Sequence, residues 1–266
     1  MLVGAEHAED GILIKGKVMN KKSREEIKLM RMAGNIVALV HQEMKRVIEP
    51  GISTLELDKI AYDIIKKNKA YPTFLGYNGF PNSICASVNE QVVHGIPSKD
   101  TILKEGDIVS IDVGATFRDL VGDSAWTYPV GKIAPEIENL LKVTEKALFA
   151  GIEQMIPDSP LENVSAAIED VALNAKVGIV RQYGGHGVGH QMHEDPFLFN
   201  YRTNSTIIIK KNCAIAIEPM LNLGCDEVHT LADDWTVVTD DNKPSAHFEH
   251  TVVATEEGPL ITTKLM

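Results

Sequence analysis

Residues 23–51 read SREEIKLMRMAGNIVALVHQEMKRVIEPG, and the fold is predicted outward from this stretch. Ser23 followed three residues later by Glu26 forms a capping box, a pattern that begins helices. Apolar residues then recur every three or four positions between residues 27 and 47, as they do on one face of a helix. Pro50-Gly51 ends the pattern. The stretch therefore predicts an amphipathic helix with one buried face.

A second, shorter helix is predicted directly after the first. Ser53 and Glu56 form another capping box, and apolar residues with helical spacing follow as far as residue 65. Beyond Pro72 the chain changes to short apolar runs separated by Gly and Pro, which is typical of strands. Strands are predicted at residues 88–93 and 107–113.

The same order of elements recurs about 107 residues later. A helix predicted from residue 137 closes at Pro157, and Ser159-Pro160 predicts the capped start of another helix, which Gly178 ends. Further strands are predicted at residues 207–209, 214–217, 236–238 and 251–253. The prediction is an α+β fold with duplicated helix–helix–strand halves, in which helices cover one face of a curved antiparallel sheet. Residues 1–20 are predicted to form an N-terminal arm, and residues 21–266 a single domain of two pseudo-symmetric halves.

Composition excludes several classes of protein. Hydrophobic residues make up 44% of the 266 residues, so a disordered or collagen-like chain is excluded. The net charge of −11 argues against nucleic acid as the main partner, because phosphate binding needs a basic surface. No apolar run approaches a membrane span, and the first residues lack the apolar core of a secretory signal. Three widely spaced cysteines form no zinc-ribbon or disulfide pattern, so a cytoplasmic location is predicted.

Four carboxylates stand where the predicted strands should be apolar. Asp112 alternates with packing residues in one strand, and Asp123 lies on the return strand after a turn near residues 117–119, so the two acids are predicted to face each other within two residues. Glu218 directly follows the strand at residues 214–217, and Glu249 precedes the strand at residues 251–253. Acids that face one another in a sheet repel, and an unpaired buried charge is costly. A positive group is therefore expected between them.

A histidine in a glycine-rich loop accompanies these acids. His186 lies within GGHGVG, residues 184–189, where glycine allows neighbouring groups to approach closely. No basic residue alternates into the acidic strands, so two divalent ions are the hypothesis. Oxygen-rich sites with an imidazole suit Mn, Fe, Co or Zn, and the ligands alone do not identify the metal. Two such ions bridged by water and carboxylates are a known device of hydrolases.

Seven short motifs follow one another in the chain: VHGIP (93–97), IDVG (111–114), GDSA (122–125), GHGVGH (185–190), HEDP (193–196), IEPM (217–220) and FEHT (248–251). Motifs of this kind in this order resemble the type I methionine aminopeptidases, and the resemblance extends over residues 23–262. The resemblance implies the pita-bread fold and a metal-dependent aminopeptidase that removes the N-terminal methionine from nascent proteins and peptides. It also implies a small second residue in the substrate and hydrolysis by a hydroxide that bridges two metal ions.

The resemblance assigns a role to each matching position. It implies five metal ligands, with Asp123 and Glu249 bridging the ions: Asp112, Asp123, His186, Glu218 and Glu249. It implies catalytic roles for His94, His193 and Glu218. His94 and His193 also match substrate-binding positions, and the residues expected around the methionine side chain are Tyr77, Phe80, Cys85, Met192 and Trp235. Asn89 and Ser245 match a site for one monovalent cation. From spacing alone, the role of His94 stays open.

The sequence departs from the commoner family pattern at Phe74, Val93, Met192 and His247, which affects the expected shape of the pocket but no ligand. Expected partners are nascent polypeptides and the ribosome, without membrane or sequence-specific nucleic acid, and a monomer is expected. Two alternatives are weighed. An Xaa-Pro peptidase of the same fold usually has a large extra N-terminal domain, for which this chain has no room. A metal-free binding module of the same fold would have lost ligands, and all five are present here.

Overall fold

The computed structural model describes residues 19–266, so residues 1–18 of the predicted arm lie outside the described part. The helices are α1 (Arg24–Val47), α2 (Thr54–Lys67), α3 (Pro135–Ile152) and α4 (Glu162–Ala175). Ser23 and Ser53 form both predicted capping boxes, because each hydroxyl accepts from the backbone N–H three residues later. Among these helices none is long and apolar enough to cross a membrane.

The predicted start of α4 and the strand predicted at residues 207–209 are wrong, and both errors have one cause. Ser159 and Pro160 do not begin the helix, because Ser159 and Leu161 form backbone hydrogen bonds with Ile209 and Ile207. Pro160 and Ile208 form an isolated bridge between them, too short to count as a strand. Helix α4 therefore starts at Glu162, without a side-chain cap.

The strands are short except for one long hairpin. They are β1 (Tyr71–Pro72), β2 (Ile84–Val88), β3 (Gln91–Val93), β4 (Ile108–Phe117), β5 (Leu120–Pro129), β6 (Gly178–Ile179), β7 (Gly185–Gly187), β8 (Glu194–Leu198), β9 (Ala214–Ile217), β10 (Met220–Asn222), β11 (Val228–Thr230), β12 (Val237–Thr239), β13 (Ser245–His247), β14 (His250–Thr255) and β15 (Gly258–Ile261). The single strand predicted at residues 88–93 is wrong. Asn89 has φ 53°, in the left-handed region, and this turn separates β2 from β3.

Antiparallel sheets form the layer beneath the helices. In the first half of the chain β4 pairs with β1, β2 and β5, and in the second half the order is β15-β14-β9-β7-β8. Two smaller sheets, β13-β10-β6 and β11-β12-β3, connect parts of the chain that are distant in sequence.

The apolar residues form separate clusters beneath the two helix pairs. Helix α1 packs on β4 and β5, and its buried face shares a core with α2 that includes Met44, Leu57 and Ile111. Helices α3 and α4 pack on each other, and their core includes Leu148 and Ile215 of β9. The predicted α+β class, with helices on antiparallel sheets, is confirmed. The split into an arm and one domain of two symmetric halves stays a prediction.

Candidate active site

The β4–β5 hairpin positions the first two carboxylates. Its turn lies at Arg118 and Asp119, which both have positive φ, and the register pairs Asp123 with Gly114 and Asp112 with Ala125. Residues two apart on a strand share a face, so the two acids are diagonal neighbours on one face of the hairpin. This agrees with the register predicted from the sequence.

The second half of the chain brings the other three candidate ligands to the same place. His250 of β14 pairs with Ile217 of β9 in antiparallel register, so Glu249 and Glu218 lie next to each other beyond the paired residues. The backbone N–H of Glu249 donates to the carbonyl of Ala125, which joins this edge to the hairpin. His186 lies on β7 opposite Ala216. A Cβ at position 185 would collide with the Ala216 carbonyl oxygen, so only glycine permits this close approach.

The ligand atoms converge. His186 Nε2 lies 3.7 Å from Asp123 Oδ2 and 3.5 Å from Glu218 Oε1. One ligand atom each of Asp123, His186 and Glu249 lies within 4.8 Å of the other two, a separation that one ion can span. The structure therefore brings Asp123, His186 and Glu249 together as a candidate metal centre, with Glu218 at its edge.

The buried acids of this cluster need positive charge close to them. Burial raises the pKa of each of the four acids well above its ordinary value, and the charge of the neighbouring acids raises the pKa of Asp112, Asp123 and Glu249 further. Asp112 Oδ1, Asp123 Oδ1 and Glu249 Oε1 are buried without a hydrogen-bond partner among the described residues. Buried carboxylate oxygens are normally paired or bound to metal. The donor set thus fits divalent ions.

His186 is prepared as a neutral ligand. Burial lowers its pKa to about 4, so the ring is uncharged at neutral pH. Nδ1 lies 2.9 Å from the Gly187 carbonyl oxygen. Donation from Nδ1 to that oxygen leaves the lone pair of Nε2 directed at the acids, and such a partner fixes the tautomer of many metal-binding histidines.

A cavity of about 540 Å³ opens beside the acids. The residues predicted for metal, catalysis or substrate that line it are Tyr77, Phe80, Cys85, His94, Asp112, Asp123, His186, Met192, His193, Glu218 and Glu249. Trp235 does not line this cavity. Its ring packs edge-on against Phe80 at 5.1 Å between centroids, so it contacts a residue that lines the pocket.

The two further histidines, His94 and His193, both line the cavity. The His193 ring centroid is 4.2 Å from that of His186, and its Nδ1 is 2.9 Å from the Tyr77 hydroxyl. His94 has φ 60° and packs edge-on against Tyr183. Burial lowers the pKa of both His94 and His193 to about 3. Each ring is therefore neutral and carries one N–H that can donate.

Asn89 and Ser245 also come together, away from the cavity. The Ser245 backbone N–H donates to the Asn89 carbonyl oxygen at 2.9 Å. The Asn89 side chain is committed elsewhere, donating to Asp107 Oδ1 and accepting from the Ile108 N–H. A cation at this place would depend on carbonyl and hydroxyl oxygens, and the monovalent site stays a prediction.

The sequence prediction omitted several residues from the site. His247 lines the cavity, and its buried Nε2 has no hydrogen-bond partner within residues 19–266 and lies 3.6 Å from Glu218 Oε2. From the sequence, His247 is identified only as a departure from the family pattern that affects the shape of the pocket, without a role in the site. Tyr183, Phe197 and Asn20 also line the cavity, without any local pattern that marks them.

Comparison with known proteins agrees with this geometry. The sequence model of metallopeptidase family M24 matches residues 28–256. Methionine aminopeptidase 1 of Bacillus subtilis is 52% identical over 245 residues, which cover 92% of this chain and 98% of that protein. Methionine aminopeptidase from Clostridium acetobutylicum is 44% identical over 91% of this chain and 97% of its own length.

Solved structures give the same result. The crystal structure of methionine aminopeptidase from Thermotoga maritima matches with a TM-score of 0.91 and 41% identity, over 93% of this chain and all of that chain. Prolidase from Pyrococcus furiosus matches with a TM-score of 0.73 at 21% identity, over 92% of this chain and 65% of that chain, so it shares the fold. The predicted pita-bread fold is thereby confirmed, and the chain belongs to metallopeptidase family M24, among the methionine aminopeptidases.

Proposed function

We propose that this protein hydrolyses the first peptide bond of peptides and nascent proteins that begin with methionine. The observation that carries the proposal is the cluster of acids next to neutral His186, with buried oxygens that have no partner in the described part of the chain, in a cavity that aromatic and sulfur-containing side chains also line. The similar proteins from Bacillus subtilis and Clostridium acetobutylicum are methionine aminopeptidases, which supports the same activity.

Membership of a metallopeptidase family implies that a divalent metal is used. The residues proposed to hold it are Asp112, Asp123, His186, Glu218 and Glu249, and this number of ligands suits two ions of Co, Mn, Fe or Zn. Bound divalent ions supply Lewis-acid polarisation of the scissile carbonyl and lower the pKa of water.

The pocket beside the acids suits a methionine side chain. Tyr77, Phe80, Cys85 and Met192 give it aromatic and sulfur-containing walls. Contacts between sulfur and aromatic rings contribute about 0.3–1.5 kcal/mol. Trp235 is proposed to support this wall through Phe80.

The neutral histidines and one acid are proposed to move or hold protons. Glu218 accepts a proton from the attacking water and delivers it to the leaving amine nitrogen, first as general base and then as general acid. His94 and His193 each donate a hydrogen bond to the scissile amide or to the developing oxyanion. These bonds strengthen as negative charge develops, so they stabilise the transition state more than the substrate.

The remaining expectations belong to the same proposal. Residues 21–266 act as one catalytic domain, Asn89 and Ser245 hold a monovalent cation, and the enzyme is a cytoplasmic monomer. Its substrates are nascent chains, so it meets the ribosome, and its net charge of −11 means that such contact is local.

The test compares peptides with and without a chelator. Met-Ala-Ser should be cleaved and Ala-Pro peptides should not, which separates this activity from that of an Xaa-Pro peptidase. Met-Leu and Met-Lys peptides should be cleaved much more slowly than Met-Ala-Ser, because a small second residue is proposed. Elemental analysis should find bound divalent metal. A protein without metal and without activity on Met-Ala-Ser would instead favour a binding module.

A further inference from the structure

A buried ion pair connects the segment before α1 with the loop that carries His193. Lys22 Nζ lies 2.6 Å from Glu194 Oε2, and the two side chains are only 3% and 7% exposed. Asn20 Nδ2 donates to the same oxygen at 3.1 Å. A charge pair removed from water this far depends on close geometry, and the loss of one partner leaves the other charge uncompensated.

The Glu194 side chain also forms hydrogen bonds with the backbone of its own loop. Its other oxygen, Oε1, accepts from the backbone N–H groups of His190 at 2.9 Å and Gln191 at 3.2 Å. The loop between these groups and Glu194 contains Met192 and His193, which both line the cavity. The orientation of the Glu194 carboxylate therefore determines where Met192 and His193 lie.

Lys22 is fixed from the opposite side. Its backbone N–H donates to the Asn212 carbonyl at 2.7 Å, and Lys21 forms a bridge with Cys213, next to β9. Gly189 leaves the space that the pair needs, since a Cβ there would collide with Lys22 Nζ and lie 2.7 Å from Glu194 Oε1. The Lys22 ammonium thus has one fixed place, beside Glu194.

We infer that Lys22 and Glu194 are positioning residues for the reaction, which hold the loop of residues 190–194 so that His193 points at the acids. The inference rests on the proposed function, because it concerns the geometry of a residue proposed to touch substrate. Lys22 does not line the cavity, and Glu194 lines it with both oxygens already bonded to Lys22, Asn20 and the loop N–H groups, so both act through His193. The segment before α1 is thereby part of the active-site framework.

The test compares Lys22→Met, Glu194→Gln and the double variant, each loaded with metal, on Met-Ala-Ser. Lys22→Met should lower kcat at least tenfold per metal-loaded molecule and leave the bound metal per chain unchanged. The double variant should recover at least threefold over Lys22→Met, because the glutamine amide oxygen still accepts from the loop N–H groups while no charge stays unpaired. Lys211→Met removes the exposed pair with Glu256 and is the matched control, which should stay within twofold of the wild type.

Two further measurements separate positioning from a general loss of stability. The NMR signal of the His193 imidazole is measured in zinc-loaded protein and assigned by its absence in His193→Asn. This signal should shift in Lys22→Met and stay in place in Lys211→Met. If Lys22→Met does not fold, Gly189→Ala, which displaces the ammonium, should give the same losses. An unchanged kcat and an unshifted His193 signal would overturn the inference. Wild-type protein that does not cleave Met-Ala-Ser would contradict the proposed function instead, and the His193 signal would still test the positioning.

Discussion

The Tyr77 hydroxyl lies 2.9 Å from Nδ1 of His193, and the two rings are 5.5 Å apart between centroids. When the phenol donates to Nδ1 of a neutral His193, the ring carries its proton on Nε2, and this is the tautomer that can donate to substrate. We therefore expect Tyr77 to hold His193 in this state as well as to form a wall of the methionine pocket.

Tyr77→Phe should lower kcat by roughly tenfold and change KM less than twofold, because the ring stays in the wall while the tautomer of His193 is no longer fixed. A single hydrogen bond of this kind is worth on the order of 1 kcal/mol. Steady-state kinetics on Met-Ala-Ser measures the change, and Tyr62→Phe on the exposed face of α2 is the control. If only KM rises in this variant, Tyr77 contributes to binding of the substrate side chain and does not act on His193.

Asp112→Asn should lose bound metal and activity together. The substitution preserves the shape of the side chain but removes a negative charge whose buried Oδ1 has no protein partner among the described residues. Elemental analysis and peptide hydrolysis on one preparation measure both properties, with Asp63→Asn on the surface of α2 as the control. Full activity in demonstrably metal-depleted Asp112→Asn protein would contradict the assignment of this ligand.

His94→Ala should keep its metal and lose turnover. Removal of one preorganised hydrogen-bond donor costs on the order of 10²–10³ in kcat in well-studied cases, so a decrease of at least about a hundredfold is expected with KM nearly unchanged. His229→Ala, an exposed histidine, should match the wild type. Loss of an ion would make His94 a ligand, and an unchanged kcat would make it a structural residue.

Stability should fall in mild acid because of His41, which lies on α1 with its partly buried ring against β5. Its Nδ1 lies 2.9 Å from the Tyr128 hydroxyl, and desolvation of the ring lowers its pKa from 6.5 to about 4. Above pH 6.5 the ring is neutral in both the folded and the unfolded state. Between pH 6.5 and 4 only the unfolded state takes up the proton, so the free energy of unfolding falls by about 3 kcal/mol.

Urea unfolding of wild type and His41→Gln at pH 7 and pH 4 measures this contribution. The other titrating groups are common to both proteins, so the wild type should lose about 3 kcal/mol more than the variant over this range. Parallel pH dependences would mean that His41 is protonated in the folded state.

Only one of the three cysteines should react quickly with an alkylating reagent. Cys85 and Cys213 are buried, and burial raises the pKa of the Cys213 thiol to about 11 and that of Cys85 well above its ordinary value. Thiolates are the reactive form, so Cys225, which is partly exposed, should be modified first. Mass spectrometry after brief exposure to iodoacetamide should find one label with activity retained. Early labelling of Cys85 would contradict its burial at the pocket wall.

Local patterns in the sequence predicted α1 and α2 because a capping box needs only residues within one turn of each other. They failed at α4 and at residues 207–209, where Ser159 and Leu161 bond to a segment nearly fifty residues away. They also missed the break between β2 and β3. Asn89 adopts its left-handed conformation while bonded to Ile108 and Ser245, which are distant in sequence. Contacts of this kind leave no local signal.

The sequence by itself determined the chemistry of this protein: which residues carry charge on strands that should be apolar, and which motifs place the chain in its family. Only the tertiary structure decided which atoms meet. His186 reaches Asp123 because β7, β9 and β14 bring the second half of the chain onto the first hairpin, and His193 is oriented by Tyr77 and by the pair of Lys22 with Glu194. The reason is physical, since propensity and periodicity act between near neighbours, whereas desolvation and hydrogen-bond geometry depend on residues that only folding brings together.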